Sequence, residues 1–471
     1  MNTPNAIDNL SRHDLLELVV ELQRQVADLS ARVATLQAEN DILKRQQSRQ
    51  AAPYSKGQRL SKPKRPGRKP GSGRFCYREP PSLEQLSSAP VEVSVTATAC
   101  PRCGGGLEPE RTDWAYTTDI PPFPKPMVTA YRVAVCRCRV CGHHVRGQHP
   151  DVSPDQYGAT AHRVGERVMA LAHTLHYGLG LPVRKAPAVL RLLSGIRITQ
   201  SAMTQDALRR TQGEVGERYA QLRASVAERP VVHTDDTGWR VGGEPAYLMA
   251  FETDEETVYQ VRAQHRHDEV AEVIPPEYGG VMATDRGRSY DAHAFDGVKQ
   301  QKCLSHIQRN ISDVLERQQG PARVFGARLK GLLHEAIELW HAYHAGVVDD
   351  FAAQASRLKK AITHQLRPRD LRSPDNQRLL DGIGWHHDRG NLLRFLDDPE
   401  LEPTNNRAER SLRGPVIARK VSQCSKTDRG AEAFAAFSSI LKTLSKSGFE
   451  TMVEALCEVF RGVPLQRASP L

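Results

Sequence analysis

The stretch Val231-Val232-His233-Thr234-Asp235-Asp236-Thr237-Gly238-Trp239 decides how the rest of the chain reads. Its apolar start suits a buried strand over residues 231–234. Two adjacent carboxylates follow, then a glycine expected to open a turn. A strand of this kind delivers an acid to the edge of a sheet. Gly280-Val281-Met282-Ala283-Thr284-Asp285 is a second short apolar run ending in an acid. Thr404-Asn405-Asn406-Arg407-Ala408-Glu409-Arg410 places a glutamate in the first turns of a helix.

Further strands are expected at 247–251 and 258–262, separated by the turn Asp254-Glu255-Glu256. A short helix at 268–274, a strand at 281–284 and a fifth strand at 301–304 follow. Three strands, a helix and a further strand match the start of a ribonuclease H-like fold. In that arrangement neighbouring central strands bring Asp235 and Asp285 together. The gap between them suits a three-strand meander plus a helix. The gap from Asp285 to Glu409 is too long for a loop and calls for an inserted helical subdomain.

The 471 residues are enough for several domains at about 150 residues each. No apolar run approaches the ~20 residues of a membrane span. The amino terminus lacks the basic-then-apolar pattern of a secretory signal. A soluble, cytoplasmic protein is expected. The formal net charge is +10, and eleven Lys/Arg with no Asp/Glu lie between Lys44 and Arg74. That run suits an arm for a polyanion, or a solvated linker. Five of the nine cysteines fall between Cys100 and Cys141, a clustering that suits a metal site better than disulfides.

Leu15, Leu22, Leu29, Leu36 and Leu43 recur every seven residues, and Val19, Val26, Val33 and Asn40 fill the other seam position. Valine at one seam position and leucine at the other favours a parallel two-stranded coiled coil, with the single asparagine fixing register. A homodimer or higher oligomer is therefore expected. The segment from Ser61 to Arg74 is too rich in proline and glycine for regular structure. Its Lys64, Arg65, Arg68 and Lys69 would neutralise phosphates, so DNA binding through them should be salt-sensitive.

Cys100-Pro101-Arg102-Cys103-Gly104 and Cys138-Arg139-Val140-Cys141-Gly142 form a double CxxC pattern around a stretch with a strand at 131–135. Four thiolates at this spacing suit a closed, structural Zn²⁺ site. Cys136, His143 and His144 compete for the fourth place, with Cys136 set too tightly against Cys138 to copy the first pair. Residues from about 161 to 228 read as helices. The pair at 183–193 and 199–209, around Ser194-Gly195, suits either a helix-turn-helix presenting Ser201, Thr204 and Gln205 to DNA or a plain helical spacer.

The chain resembles the DDE transposases of the IS sixty-six insertion-sequence family over nearly its whole length. The most specific segments are His233-Thr234-Asp235-Asp236-Thr237-Gly238-Trp239-Arg240, Cys303-Leu304-Ser305-His306-Ile307-Gln308-Arg309 and Asn405-Asn406-Arg407-Ala408-Glu409-Arg410-Ser411-Leu412-Arg413. Arg419-Lys420, Ser425, Gly430 and Ser438-Ser439-Ile440 continue the match. The resemblance implies that Asp235, Asp285 and Glu409 are the catalytic triad of a bacterial mobile element. It also makes accessory element-encoded proteins expected helpers. The family usually shows Asp-Glu-Thr where this chain has Asp235-Asp236-Thr237, which leaves a supporting role for Asp236 open.

Three converging carboxylates suit two hard cations, Mg²⁺ or Mn²⁺, at one site, where they clamp an in-line displacement at phosphorus. The reaction implied is cleavage to expose a 3′-hydroxyl, followed by transfer of that strand to target DNA. Each acid alone also has a local role, Asp in a turn or Glu409 in a capping box with Asn406. His306 and Arg309 share a helix face, either as phosphate or Asp285 support or as a core histidine with a surface arginine. Arg407, Arg410, Arg413, Arg419 and Lys420 surround Glu409, and Arg410, Arg413, Arg419 and Lys420 are expected to hold the DNA backbone. Trp239 reads as a packing residue, and Trp385-His386-His387 suits either core or DNA contact.

The expected organisation is a coiled coil (1–48), a basic linker (49–90), a zinc-binding element (91–155) and a helical DNA-binding region (156–228). An α/β, ribonuclease H-like catalytic core (229–305) follows. A large helical insertion (306–398) separates it from the glutamate-bearing helix and carboxy-terminal helices (399–471). The rival reading is a catalytically silent, zinc-containing DNA-binding protein derived from a transposase.

Overall fold

The computed structural model describes residues 11–47, 99, 101–108, 115, 126–422 and 424–463. The chain divides into two compact units, Met1–Ile120 and Pro121–Leu471.

In the first unit, helix α1 (Arg12–Gln47) covers the heptad stretch. Val19, Leu22, Val26, Leu29 and Val33 of the seam are exposed along it. An apolar stripe facing water is the surface a second helix would cover. Lys64, Arg65, Arg68, Lys69 and Cys100 lie outside the described residues.

The second unit opens with a short antiparallel pair, β1 (Val135–Arg137) and β2 (His144–Arg146). The strand expected at 131–135 thus starts where that expectation ended. Helices α2 (Glu166–His173), α3 (Ala186–Ser194), α4 (Gln200–Thr211) and α5 (Glu214–Val226) follow. Gly195, at φ 73°, closes α3 in the left-handed conformation that glycine adopts without penalty. Thr199 caps α4 by accepting from the Ala202 amide. Those two residues place the expected helix pair.

Five strands form one mixed sheet in the order β5-β4-β3-β6-β7. They are β3 (Val231–Val241), β4 (Glu244–Glu252), β5 (Thr257–Arg262), β6 (Val281–Thr284) and β7 (Lys299–Lys302). The first three are antiparallel neighbours; β6 and β7 run parallel to β3 after the short helix α6 (His267–Ala271). This mixed α/β architecture is compatible with a ribonuclease H-like core.

Two expectations need correction. Strand β3 does not stop at the acids, and Gly238 opens no turn. The chain stays extended to Val241, with Asp235 opposite Ala250 and Gly238 opposite Tyr247. Trp239, inside this extension, is 3% exposed and packs its ring 4.8 Å from that of Phe434. The turn falls at Gly242 and Gly243, both at positive φ. The fifth strand lies at 299–302 because Cys303 already caps the next helix.

That helix is α7 (Leu304–Arg317), followed by α8 (Arg323–His344), α9 (Phe351–Leu366) and α10 (Pro374–Asp388). Leu304, Ile307, Ile311, Leu329, Leu333 and Ile362 bury a core of their own there. Then come α11 (Asn406–Ser422), α12 (Asp428–Leu444) and α13 (Met452–Phe460). Phe437, Ile440 and Leu441 of α12 join Met249, Phe251 and Val258 in another core. Each fully buried side chain of this size contributes roughly 1.5–3 kcal/mol relative to exposure. Among the described residues, no helix is long and apolar enough to cross a membrane.

Candidate active site

Strands β3 and β6 pair with Val231 beside Val281, Val232 beside Met282 and His233 beside Ala283. Asp235 lies two residues beyond the last of these pairs and Asp285 directly follows β6, so both acids fall at the same end of the β3–β6 pair. Strand alternation then separates the two neighbouring acids. His233, Thr237 and Trp239 share a face of β3 with Asp235, and that face meets α11 and the residues after it. The His233 Nδ1 lies 3.3 Å from Asn405 Oδ1, Arg419 donates to Thr237 Oγ1 at 3.1 Å, and Trp239 Nε1 donates to Ser425 Oγ at 3.2 Å. On the other face, Asp236 Oδ1 is 3.0 Å from His265 Nδ1, and Thr234 Oγ1 is 3.3 Å from the Tyr290 hydroxyl.

Glu409 sits in the first turn of α11. Asn405, fully buried, fixes where that turn lies. Its carbonyl accepts from the Glu409 amide at 3.2 Å, and its side-chain amide donates to the Thr234 carbonyl at 2.8 Å. Its own amide donates to Cys303 Sγ at 3.2 Å. One residue therefore ties the helix of Glu409 to the strand of Asp235 and to the start of α7.

The electrostatics report the convergence. The Asp235 carboxyl is pushed up to about 7, first by burial. The Asp236 amide pulls the other way, while the charges of Asp285, Asp236 and Glu409 push further up. Asp235 Oδ1 accepts from the Asp236 amide at 2.9 Å, and Asp285 Oδ1 from the Gly287 amide at 2.8 Å. The turn role open to Asp285 is thus real. A Cβ at Gly287 would come 2.9 Å from Asp285 Oδ1, so the close approach requires glycine. Burial holds His233 down at about 4, so it is neutral near pH 7. A buried carboxyl raised further by the charges of neighbouring carboxylates belongs to a donor set that fits hard divalent cations.

Lys302 stands behind this cluster, fully buried. Its Nζ donates to Thr284 Oγ1 at 2.9 Å and to the Asp285 carbonyl at 3.1 Å, and pairs with Asp291 Oδ1 at 2.8 Å. Burial lowers its pKa, and the Asp291 charge opposes that. His386 also faces Asp291, at 3.8 Å, and burial pulls it down to about 4. His387 meets Thr363 Oγ1 at 2.9 Å, and the Arg389 guanidinium stacks 3.7 Å from the centre of the half-exposed Trp385 ring. The two histidines of that triplet therefore have protein partners.

His306 Nε2 lies 3.6 Å from Glu409 Oε1, so its nearest acid is Glu409 rather than Asp285. Arg309 is exposed, as are Arg410, Arg413 and Lys420. Arg419 is committed to the protein: besides Thr237 it donates to the Gly238 carbonyl. Arg407 pairs with Glu402 and Asp254. Asn405, Cys303 and Lys302 were not singled out from the sequence. A second asparagine where one cap suffices, and a Lys-Gln-Gln-Lys strand, were the available signals.

At the CxxC pattern, Cys138 and Cys141 flank a turn in which the Gly142 amide donates to the Cys138 carbonyl at 3.0 Å. Gly142 adopts φ 74° and Gly104, after Cys103, φ 73°. The Cys138 thiol is drawn below its usual pKa, first by the Cys141 amide and next by that of Val140. Cys103 belongs to the other unit. Cys136 lies in β1, opposite Val145, and is exposed.

A mixed sheet with acids on adjacent parallel strands and a third on a helix against it defines a polyacidic α/β protein. Residues 162–433 match the family described as Transposase IS66 family. The chain belongs to that family. It is also similar to a Sinorhizobium fredii protein described as uncharacterized protein y4jD, at 25% identity over 278 residues. That match covers 56% of this chain, which spans 50% of the relative's length.

Proposed function

We propose that the chain is a DDE transposase with a ribonuclease H-like core, in which Asp235, Asp285 and Glu409 hold two divalent cations of the Mg²⁺ or Mn²⁺ type. The observation that carries this reading is that the Asp235 carboxyl, raised to about 7 first by burial, also feels the charges of Asp285, Asp236 and Glu409. Bound cations at such a site activate the attacking oxygen and neutralise charge at phosphorus. The protein's part is positional. Asp235 gives up its proton to bind metal, Asn405 holds Glu409 in place, and Lys302 fixes the backbone at Asp285. Exposed Arg410, Arg413 and Lys420 hold the DNA backbone without reading bases. Arg419 acts as a strut between α11 and β3. The reaction is 3′-end cleavage and strand transfer, with no protein nucleophile.

The remaining parts serve assembly on DNA. The seam of α1 pairs two chains, and Lys64, Arg65, Arg68 and Lys69 tether DNA. Cys138 and Cys141 supply thiolates to a structural Zn²⁺, and the α3–α4 pair approaches DNA. Accessory proteins of the element join the complex.

The test is strand transfer by purified protein with Mg²⁺ and element ends. Wild type joins ends to target and Asp285→Asn does not. Equal activity of the two proteins would remove the triad assignment. DNA binding without any cleavage would favour a silent DNA-binding derivative, and cleaved ends that never integrate a plain nuclease.

A further inference from the structure

We propose that Cys303, His306 and Glu409 form a second metal site for a thiophilic divalent cation such as Zn²⁺, and that filling it withdraws Glu409 from the Mg²⁺ pocket. The second half rests on the catalytic reading above; the site itself does not. Cys303 follows β7 and caps α7, and His306 lies one turn along the same helix face. Glu409 comes from α11. One donor atom from each lies within 4.8 Å of the other two.

Between His306 and Glu409 the spacing is that of ligands rather than of hydrogen-bonded partners, while Cys303 and His306 lie within hydrogen-bonding reach of each other. His306 Nε2 and Glu409 Oε1 stand 3.6 Å apart, beyond the usual hydrogen-bond range. Tetrahedral zinc with bonds near 2.0–2.2 Å separates its nitrogen and oxygen ligands by about 3.4 Å. The sulfur is buried, and it already accepts the Asn405 amide at 3.2 Å, the kind of outer contact that orients a metal thiolate. A thiolate and a carboxylate balance a doubly charged ion. Three protein ligands leave a fourth position open. Mg²⁺ takes oxygen ligands and declines sulfur, so the two pockets select different cations while sharing Glu409.

The experiment titrates full-length, chelator-stripped protein with Co²⁺ and records the thiolate-to-cobalt absorption. Cys138 and Cys141 contribute equally to wild type and Cys303→Ser, so the difference spectrum isolates the proposed site. Cys303→Ser should lose about one bound Co²⁺ per chain, and His306→Gln should weaken that ion at least tenfold. Circular dichroism checks folding, and His306→Gln decides if Cys303→Ser does not fold. Matching Co²⁺ titrations for wild type and the folded variants overturn the site. The Zn²⁺ concentration that halves Mg²⁺-dependent cleavage should rise at least tenfold in Cys303→Ser; an unchanged value overturns the withdrawal of Glu409. The absorption needs neither DNA nor turnover. Inactive protein with an intact band therefore counts against the transposase mechanism alone, and active protein without the band against this site alone.

Discussion

The side chain of Asn405 donates to the carbonyl of Thr234 at 2.8 Å, immediately before Asp235 and four residues before Glu409. Two carboxylates far apart in sequence are thereby set by one amide. Asn405→Ala leaves the Thr234 carbonyl and His233 Nδ1 buried without this partner, a cost of about 2–4 kcal/mol. Chemical denaturation should show that loss. Mg²⁺-dependent cleavage should fall roughly 10–100-fold in kcat, with KM for DNA little changed. A variant with wild-type stability and kcat would sink the role given to Asn405.

Asp235 makes the metal-free protein sensitive to pH. Its folded pKa, about 7, lies above the ordinary 3.8. The folded chain therefore keeps a proton that the unfolded chain releases between those values. The stabilisation is complete below pH ~4 and is lost as pH rises through ~7. Asp235→Asn should then stabilise the metal-free protein at pH 8, by an amount on the order of 2 kcal/mol, and leave it unchanged at pH 3.5. Mg²⁺ should stabilise wild type at pH 8 and lose affinity as pH falls below 7. A pH-independent difference between the two proteins would contradict the assignment.

Lys302, fully buried, pairs with the partly buried Asp291, and removing Asp291 would strand the ammonium. Lys302→Met should destabilise by about 3–5 kcal/mol, and Asp291→Asn in the same chain should recover part of it. Thermal unfolding of the single and double variants reads the coupling. Strictly additive losses would mean that the ammonium acts alone, through Thr284 and the Asp285 carbonyl.

The exposed seam of α1 predicts association. Deleting residues 1–43 should convert a dimer to a monomer in sedimentation, since a parallel two-stranded coil cannot form without its heptads. A dimer that persists would place the association elsewhere.

The cysteine turns predict a structural ion. Freshly purified protein should release zinc on chelation, and Cys138→Ser with Cys141→Ser should lower that release by about one ion per chain. Fresh protein without zinc would defeat this reading.

Much of the fold was legible because the signals were local. The β6 run, the turn between β4 and β5, Gly195 closing α3 and Thr199 capping α4 are set by neighbouring residues. The end of β3 was not, because a glycine after two acids reads as a turn. Pairing with β4 as far as Val241 and the burial of Trp239 against Phe434 keep the chain extended.

What the sequence determined alone was the inventory: the acids, the heptads, the basic run, the cysteine pairs and the family they resemble. What the tertiary structure decided was proximity and environment. Strand alternation turned Asp236 toward His265 and Asp235 toward α11, and Arg419 went to β3 instead of solvent. Lys302 lost its water to Thr284, Asp285 and Asp291. Residue types and spacing encode local geometry, but burial and charge at one carboxyl depend on side chains from strands and helices that meet only on folding.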